Sequence, residues 1–291
     1  IHLHWINNEI LSIKEISKIK PKIVWTCHDM WPFLGIYHYS FEKNSKTINF
    51  IDKFILEKKK KLIKKKIYFV GVSSWIKKQI KKSIFKKNHA YFVNNPIDLS
   101  FWKPIKKSDS RKILKLDKDK FYIGVGNLEI GKFKRKGLEE FIKAINLLKT
   151  NKNIEIIEFG NEKQLKISNI SVRSFGIIND DIKLRQIYNS LDLFVLPSKI
   201  EAFGQVASEA ILCGTPVVGF ANTGLDDIII NKFNGLLASN FSYKNLSKSI
   251  NYFINNDNYN KFKIRNTIVK KFSYKRISTE YIKIYKKIIN E

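Results

Sequence analysis

The chain has 291 residues, 44% of them hydrophobic, with 54 Lys and Arg against 26 Asp and Glu, a formal net charge of +28. That length and apolar content suffice for two cores of ordinary domain size. The two cysteines, Cys27 and Cys213, stand outside any C-x-x-C pair, which argues against a disulfide framework or zinc site and for a reducing compartment.

No run of 18 apolar residues is present, so no membrane-spanning helix is expected, and no secretory signal is visible. The charge has two readings. One is an anionic partner: nucleic acid, an acidic membrane surface or a phosphorylated substrate. The other is a genome biased towards Lys, Asn and Ile codons, which the many Asn and Ile residues fit.

The chain does not begin with Met, and "IHLHWI" reads as a strand from its first residue. The expectation is that the amino-terminal part of a larger domain lies outside it. A helix over "EILSIKEISKI" then leads to the buried strand "KIVWTC", which ends at His28 and Asp29. A loop His-Asp pair suits acid–base or sugar-binding work, or it is structural, as a histidine near aromatics often is. The span 53–87 is rich in lysine and contains a third strand, "KIYFVGV", and the amphipathic helix "SSWIKKQIKKSIF". In that helix Ile76, Ile80 and Ile84 fall on one face and Ser73 or Ser74 supplies the cap. Basic amphipathic helices either lie on an anionic membrane or present a solvated face. A short strand, "AYFV", leads into "NNPIDLSFWKP", whose prolines mark a domain boundary.

The second half repeats the alternation. Strands "KFYIGVG", "NIEIIEFG", "DLFVLP" and "TPVVGF" are separated by helices over "KGLEEFIKAINLLK", "DDIKLRQIYNSL" and "QVASEAILC", and the chain reads as helical from about residue 240. Strands separated by helices imply parallel sheets covered on both faces. Two α/β domains with a cleft between them are expected. Ligands of open parallel sheets sit beyond the carboxyl ends of strands, here the loops after Cys27, Gly126, Phe159 and Leu196.

Two of those loops carry chemistry. In "PSKIEAFGQVASEAILCGTPVVGF", Gly204 opens a helix after a strand end, with Glu201 in the loop and Glu209 about a turn and a half into the helix. The free N–H groups of a first helical turn bind anions, and glycine lets a ligand approach the backbone. Carboxylates beside such a site suit sugar and ribose hydroxyls; otherwise they are a solvated loop glutamate and a helix-surface glutamate. In "GVGNLEIGKFKRKGLEEF", Arg135 and Lys136 stand just before a helix. Two cations there oppose the helix dipole and call for an anionic ligand. "GVG" lacks the third glycine of a dinucleotide fingerprint, so NAD is not expected.

Together these stretches resemble the retaining family-4 glycosyltransferases of GT-B fold, whose Glu-x7-Glu signature is similar to "PSKIEAFGQVASEAILCGTPVV". "FKRKG" looks like their donor-diphosphate motif and "VNNPIDLSFWKP" like their interdomain segment. "HLHWIN" and "TCHDMWPFLGIYHYS" are similar to a subgroup that assembles bacterial exopolysaccharide and lipopolysaccharide. The resemblance implies two Rossmann-like domains with parallel sheets. These would be a partial acceptor-side domain over 1–98, a donor domain over 99–273, and a carboxy-terminal helix, 274–291, crossing back to the first.

It also implies transfer of a hexose from a nucleoside diphosphate sugar to a glycan or lipid-linked acceptor, with retention of configuration and no metal or other cofactor. Glu201 would approach the donor sugar, with Phe203, Gly204 and Gln205 along the sugar and diphosphate. Glu209 would take the ribose hydroxyls. Lys136 and Arg135 would neutralise the diphosphate, Gly160 would lie beside the nucleotide, and His28 near the transferred sugar. Asn127 stands where the family has an arginine, for which Arg135 would substitute, and Pro96 where its linker has glycine. The first amino-domain strand with its Gly-rich loop is absent, as is a cysteine-bearing insertion after Ser40. The expected place is the cytoplasm, at most peripheral at the inner face of an anionic membrane, with no nucleic-acid partner. The alternatives are a nucleotide-sugar epimerase of the same fold and a basic nucleic-acid binder, which would need a recognition motif the chain does not show.

Overall fold

The computed structural model describes residues 1–6, 10–40, 46–126, 134–161 and 164–291. The first elements are β1 (His2–His4), α1 (Ile13–Lys18), β2 (Ile23–Cys27), α2 (Lys46–Lys60), β3 (Ile67–Gly71), α3 (Ser74–Lys82) and β4 (Ala90–Phe92). Then follow α4 (Lys107–Ile113), β5 (Phe121–Gly126), α5 (Leu138–Asn146), β6 (Ile154–Phe159), β7 (Ser171–Ser174), α6 (Asp181–Ser190) and β8 (Leu193–Leu196). The last are α7 (Gln205–Leu212), β9 (Val217–Phe220), β10 (Gly235–Ala238), α8 (Tyr243–Asn255), α9 (Lys261–Phe272) and α10 (Tyr274–Asn290). The chain forms two compact units. One is Ile1–Asn95 with Lys275–Glu291, the other Pro96–Tyr274. The first split falls before Pro96 rather than after Asp98, because the Ile97 N–H donates to Phe272 O at 3.0 Å and ties this segment to the second unit.

The first unit holds a parallel sheet in the order β1-β2-β3-β4. Every residue of β2 and β3 is buried, as apolar runs covered on both faces require. Helix α1 begins later than its apolar pattern suggests, because Ser12 and Glu15 form a reciprocal capping box. Ser73 caps α3, and Ile76 and Ile80 are fully buried. The helix ends at Lys82, so Ile84 lies beyond it and Phe85 fills the core instead. On α10, Ile277, Ile284 and Ile288 pack against Val24, Tyr68, Val70 and Val93.

Not every lysine of the 53–87 span is solvated. Lys59 is fully buried on α2, its ammonium donating to the carbonyls of Trp31 (2.5 Å), Leu34 (2.8 Å) and Gly35 (2.7 Å). Burial lowers it to about 7 against the opposing pull of Asp29 and Asp52. It pins the loop after β2 to α2.

The second unit is a six-stranded parallel sheet, β10-β9-β8-β5-β6-β7. The chain winds outward from β5 through β6 to β7, then returns to β8 and winds the other way. The topological switch therefore lies between β5 and β8, and the loops leaving their carboxyl ends flank it. These are the loops that carry Arg135–Lys136 and Glu201–Gly204.

Candidate functional site

The two loops are fastened to each other. The Lys199 N–H donates to Arg135 O at 2.7 Å, and the Lys199 ammonium pairs with Glu140 on α5 at 2.6 Å. Gly137 caps α5 with φ +69°, and a side chain there would overlap the carbonyl of Pro197. Only glycine permits that conformation and that approach. The result sets Lys136 Nζ 3.9 Å from Glu201 Oε2, with both side chains about a fifth to a quarter exposed (26% and 18%). Beside them Ser198 is buried, and its Oγ has no hydrogen-bond partner among the described residues.

Helix α7 starts from Gly204, whose φ of +97° supplies the turn and whose missing side chain lets Leu225 pack against it. The first-turn N–H groups of α7, like those of any helix, lack an intrahelical acceptor, and Gly204 offers no side-chain cap for them. The Glu201 carbonyl accepts from Gly224 N at 2.7 Å, which fixes the loop on the following turn. Gln205 is exposed and donates through Nε2 to Glu209 Oε1 at 3.0 Å.

Glu209 is not a helix-surface residue. It is 7% exposed, and its second oxygen accepts from Tyr188 OH at 3.3 Å. Burial raises its carboxyl to about 7, against the two hydrogen bonds that favour the anion. A buried carboxylate with two neutral donors is a strong acceptor for hydroxyls. Tyr188, in the apolar-looking run "QIYNSL", was not singled out by sequence, nor was Lys199; both matter through partners distant in the chain.

Gly160 follows β6 with φ +92°, its N–H donating to Gly176 O at 2.7 Å. Next to it the buried Glu158 accepts from Asn161 Nδ2 at 2.9 Å. Phe203 is the residue the structure turns elsewhere. Its ring is buried edge-on against Phe272, centroids 5.5 Å apart, so it shapes the loop by packing. Asn127 lies outside the described residues.

In the first unit His28 follows β2, half-buried, with Nε2 3.0 Å from His4 Nδ1. Its pKa is lowered by burial and by His4, with Asp29 opposing. His28 and Asp29 do not bond each other. The two Asp29 oxygens take the Trp31 N–H (2.9 Å) and His38 Nδ1 (2.5 Å), and His38 stacks on Trp5.

Residues 105–270, more than half the chain, match the family model described as glycosyl transferases group 1. An uncharacterized glycosyltransferase of Methanocaldococcus jannaschii is 28% identical over 183 residues, covering 58% of this chain and 45% of that protein. Across three such relatives from that organism the chain spans 45%, 59% and 65% of their length. Among solved structures, sucrose-phosphate synthase from Thermosynechococcus elongatus superposes with a TM-score of 0.76 at 19% identity, over 95% of this chain and 70% of that one. A protein of Anabaena in complex with UDP and glucose gives 0.68 at 18% identity, over 92% and 72%. The fold is the GT-B type: α/β, with two Rossmann-like units built on parallel sheets.

Proposed function

Because the chain belongs to the glycosyl transferases group 1 family, we propose that it moves a hexose from a nucleoside diphosphate sugar to a glycan or lipid-linked acceptor with retention of configuration. The observation that carries this reading is the constellation at the carboxyl ends of β5 and β8: Lys136 beside Glu201, the glycine-opened start of α7, and the buried acceptor Glu209. The diphosphate rests on the first-turn N–H groups of α7 and draws Lys136 and Arg135 to it. Negative charge that grows on the leaving diphosphate is met by groups already in place, so the reading calls for no metal. At 3.9 Å the Lys136–Glu201 contact is loose. Lys136 then turns to phosphate while Glu201 accepts from sugar hydroxyls. Glu209, a turn and a half further on, accepts from the ribose. The buried Ser198 hydroxyl, without a hydrogen-bond partner among the described residues, fits a site that a ligand completes. The Anabaena structure with UDP and glucose supports a nucleotide-sugar donor.

Calorimetric titration with UDP, GDP and ADP, paired with single-turnover transfer, tests the roles. Glu209→Ala and Lys136→Ala should each weaken the preferred nucleoside diphosphate about 10-fold or more, the cost of a charged hydrogen bond. Glu201→Ala should leave that affinity within about 3-fold and lower transfer about 10²-fold. Equal loss of nucleotide in Glu201→Ala and Glu209→Ala would reject the assignment.

The acceptor side bears on a surface of the first unit. On α2, Phe50, Ile51 and Phe54 are exposed (75%, 49% and 52%) beside the exposed Lys53 and Lys58, the latter 4.9 Å above the Phe54 ring. An apolar ridge flanked by lysines suits peripheral contact with an anionic bilayer that carries a lipid-linked acceptor. Among the described residues no helix is long and apolar enough to cross a membrane.

A further inference from the structure

β1 runs parallel to β2, with His2 opposite Val24 and His4 opposite Thr26. Residues two apart on a strand share a face, so the rings of His2 and His4 meet, centroids 4.0 Å apart, and His4 meets His28 at 5.3 Å. Hydrogen bonds make the row continuous. His28 Nε2 lies 3.0 Å from His4 Nδ1, and His4 Nε2 lies 3.4 Å from His2 Nδ1. His2 Nδ1 lies 2.6 Å from Tyr285 OH, and His2 Nε2 2.8 Å from Thr26 Oγ1, which meets Tyr281 OH at 2.9 Å. Among the described residues, Nδ1 of His28 makes no hydrogen bond.

A neutral imidazole carries one proton on two distinct nitrogens, so each bond in the row dictates the next. Among the described residues, the groups that face it are the Asp29 carboxylate and the Tyr281 and Tyr285 phenols. Burial lowers all three histidines, His2 to about 4 with His4 as the next cause. The row is therefore neutral at neutral pH, and only two proton orders fill it. In the first, Tyr285 donates to His2 Nδ1 and His2 Nε2–H donates to Thr26. His4 Nε2–H is then directed at His2 Nδ1, and His28 Nε2–H donates to His4 Nδ1. In the second, every proton is reversed and His28 carries its proton on Nδ1. A phenol is a stronger donor than an aliphatic alcohol, and Tyr285 makes the shorter contact with His2, 2.6 Å against 2.8 Å for Thr26. Both facts favour the first order.

We propose that His4 and His2 are positioning residues that lock His28 as its Nε2–H tautomer, so that Nδ1 is held ready as a hydrogen-bond acceptor for a substrate hydroxyl. The proposal rests on the transferase reading only for what that hydroxyl belongs to, because the tautomer is a property of the protein alone.

The test is long-range ¹H–¹⁵N correlation on the full chain with ¹⁵N-labelled histidine, at a pH above the histidine titrations. His28 should show a protonated Nε2 and a bare Nδ1, with about 90% or more in this form. His4→Phe keeps an aromatic ring and removes both nitrogens. It should release His28 to a mixture of tautomers and raise its titration midpoint, since a repelling neighbour is lost. Tyr285→Phe bonds neither His4 nor His28 and should still shift the His28 populations, which a purely structural role would not do. It also covers the case in which His4→Phe does not fold. In transfer assays His4→Phe should lower kcat about 10-fold with the donor KM within about 2-fold. A His28 proton on Nδ1, or populations unchanged in the variants, would overturn the proposal. A locked tautomer in a chain that transfers no sugar would uphold it and reject the transferase reading instead.

Discussion

Burying Glu209 costs stability once its carboxyl ionises. An unfolded glutamate ionises near pH 4.3–4.5, whereas in the fold burial holds Glu209 protonated up to about 7. Between those values the folded chain binds the extra proton, so stability falls as pH rises through that window and stays lower above it. Glu209→Gln has no proton to lose. Urea unfolding of the second unit should find the variant about 2–3 kcal/mol more stable than the parent at pH 8 and about equal to it at pH 4.5. A variant no more stable at pH 8 would mean the carboxylate is not held in this way. Ribose hydroxyls that donate to the anion would reverse the cost on binding. Nucleotide affinity should accordingly rise from pH 6 to 8 in the parent by more than it does in Glu209→Gln, as measured by calorimetry. A group kept at the expense of stability is what a binding residue looks like.

At the scale of elements, the site exists because α5 and the β8 loop touch. Gly137→Ala places a methyl group on the Pro197 carbonyl and a side chain at φ +69°. The backbone must shift, so this small change should destabilise the second unit by about 2–4 kcal/mol and loosen nucleotide binding as Arg135 and Lys136 move away from the start of α7. Near-parent values for both would show that the contact is dispensable. Contacts of this kind mark the boundary of what sequence discloses. The central strands β2, β3, β5, β6, β8 and β9 were legible because strands covered on both faces must be apolar throughout. Of the edge strands, which need no such run, β1 and β4 were legible as well, whereas the four-residue β7, "SVRS", and β10, "GLLA", were not. Neither was α4, "KSDSRKI", which has no apolar stripe. It is held by Arg111 and Lys107, each 2.6 Å from Asp192, and an ion pair distant in sequence leaves no local pattern. The same holds within the site. Glu201, Gly204 and Glu209 share one loop and helix, so their spacing could be read. The pairings of Lys199 with Glu140 and Tyr188 with Glu209 come from tertiary closure alone.

For the whole molecule, the +28 charge and the chain's path each make a claim. If the ridge of Phe50, Ile51 and Phe54 lies on an anionic surface, binding to phosphatidylserine vesicles should be clear at low salt. It should fall steeply by about 0.3 M, where the Debye length is well under 10 Å. Phe54→Asp should reduce it, and equal sedimentation with neutral and anionic vesicles would leave codon bias as the account of the charge. The path is the stronger claim. The chain leaves the first unit after Asn95 and rejoins it at Lys275, so the last 17 residues are part of the first unit's core. Ile277, Ile284 and Ile288 are each under 10% exposed. At about 1.5–3 kcal/mol for each buried aliphatic side chain, they contribute about 5–9 kcal/mol as an upper bound. That is comparable with the whole stability of an ordinary domain, about 5–15 kcal/mol. Removing 275–291 also takes Tyr281 from Thr26 and Tyr285 from His2. The truncated chain should lose hydrogen-exchange protection across β2 and β3 and keep it across β5, β6 and β8, because the second unit closes its own sheet without those residues. Protection in β2 and β3 equal to the parent would show that α10 covers the first unit without holding it together.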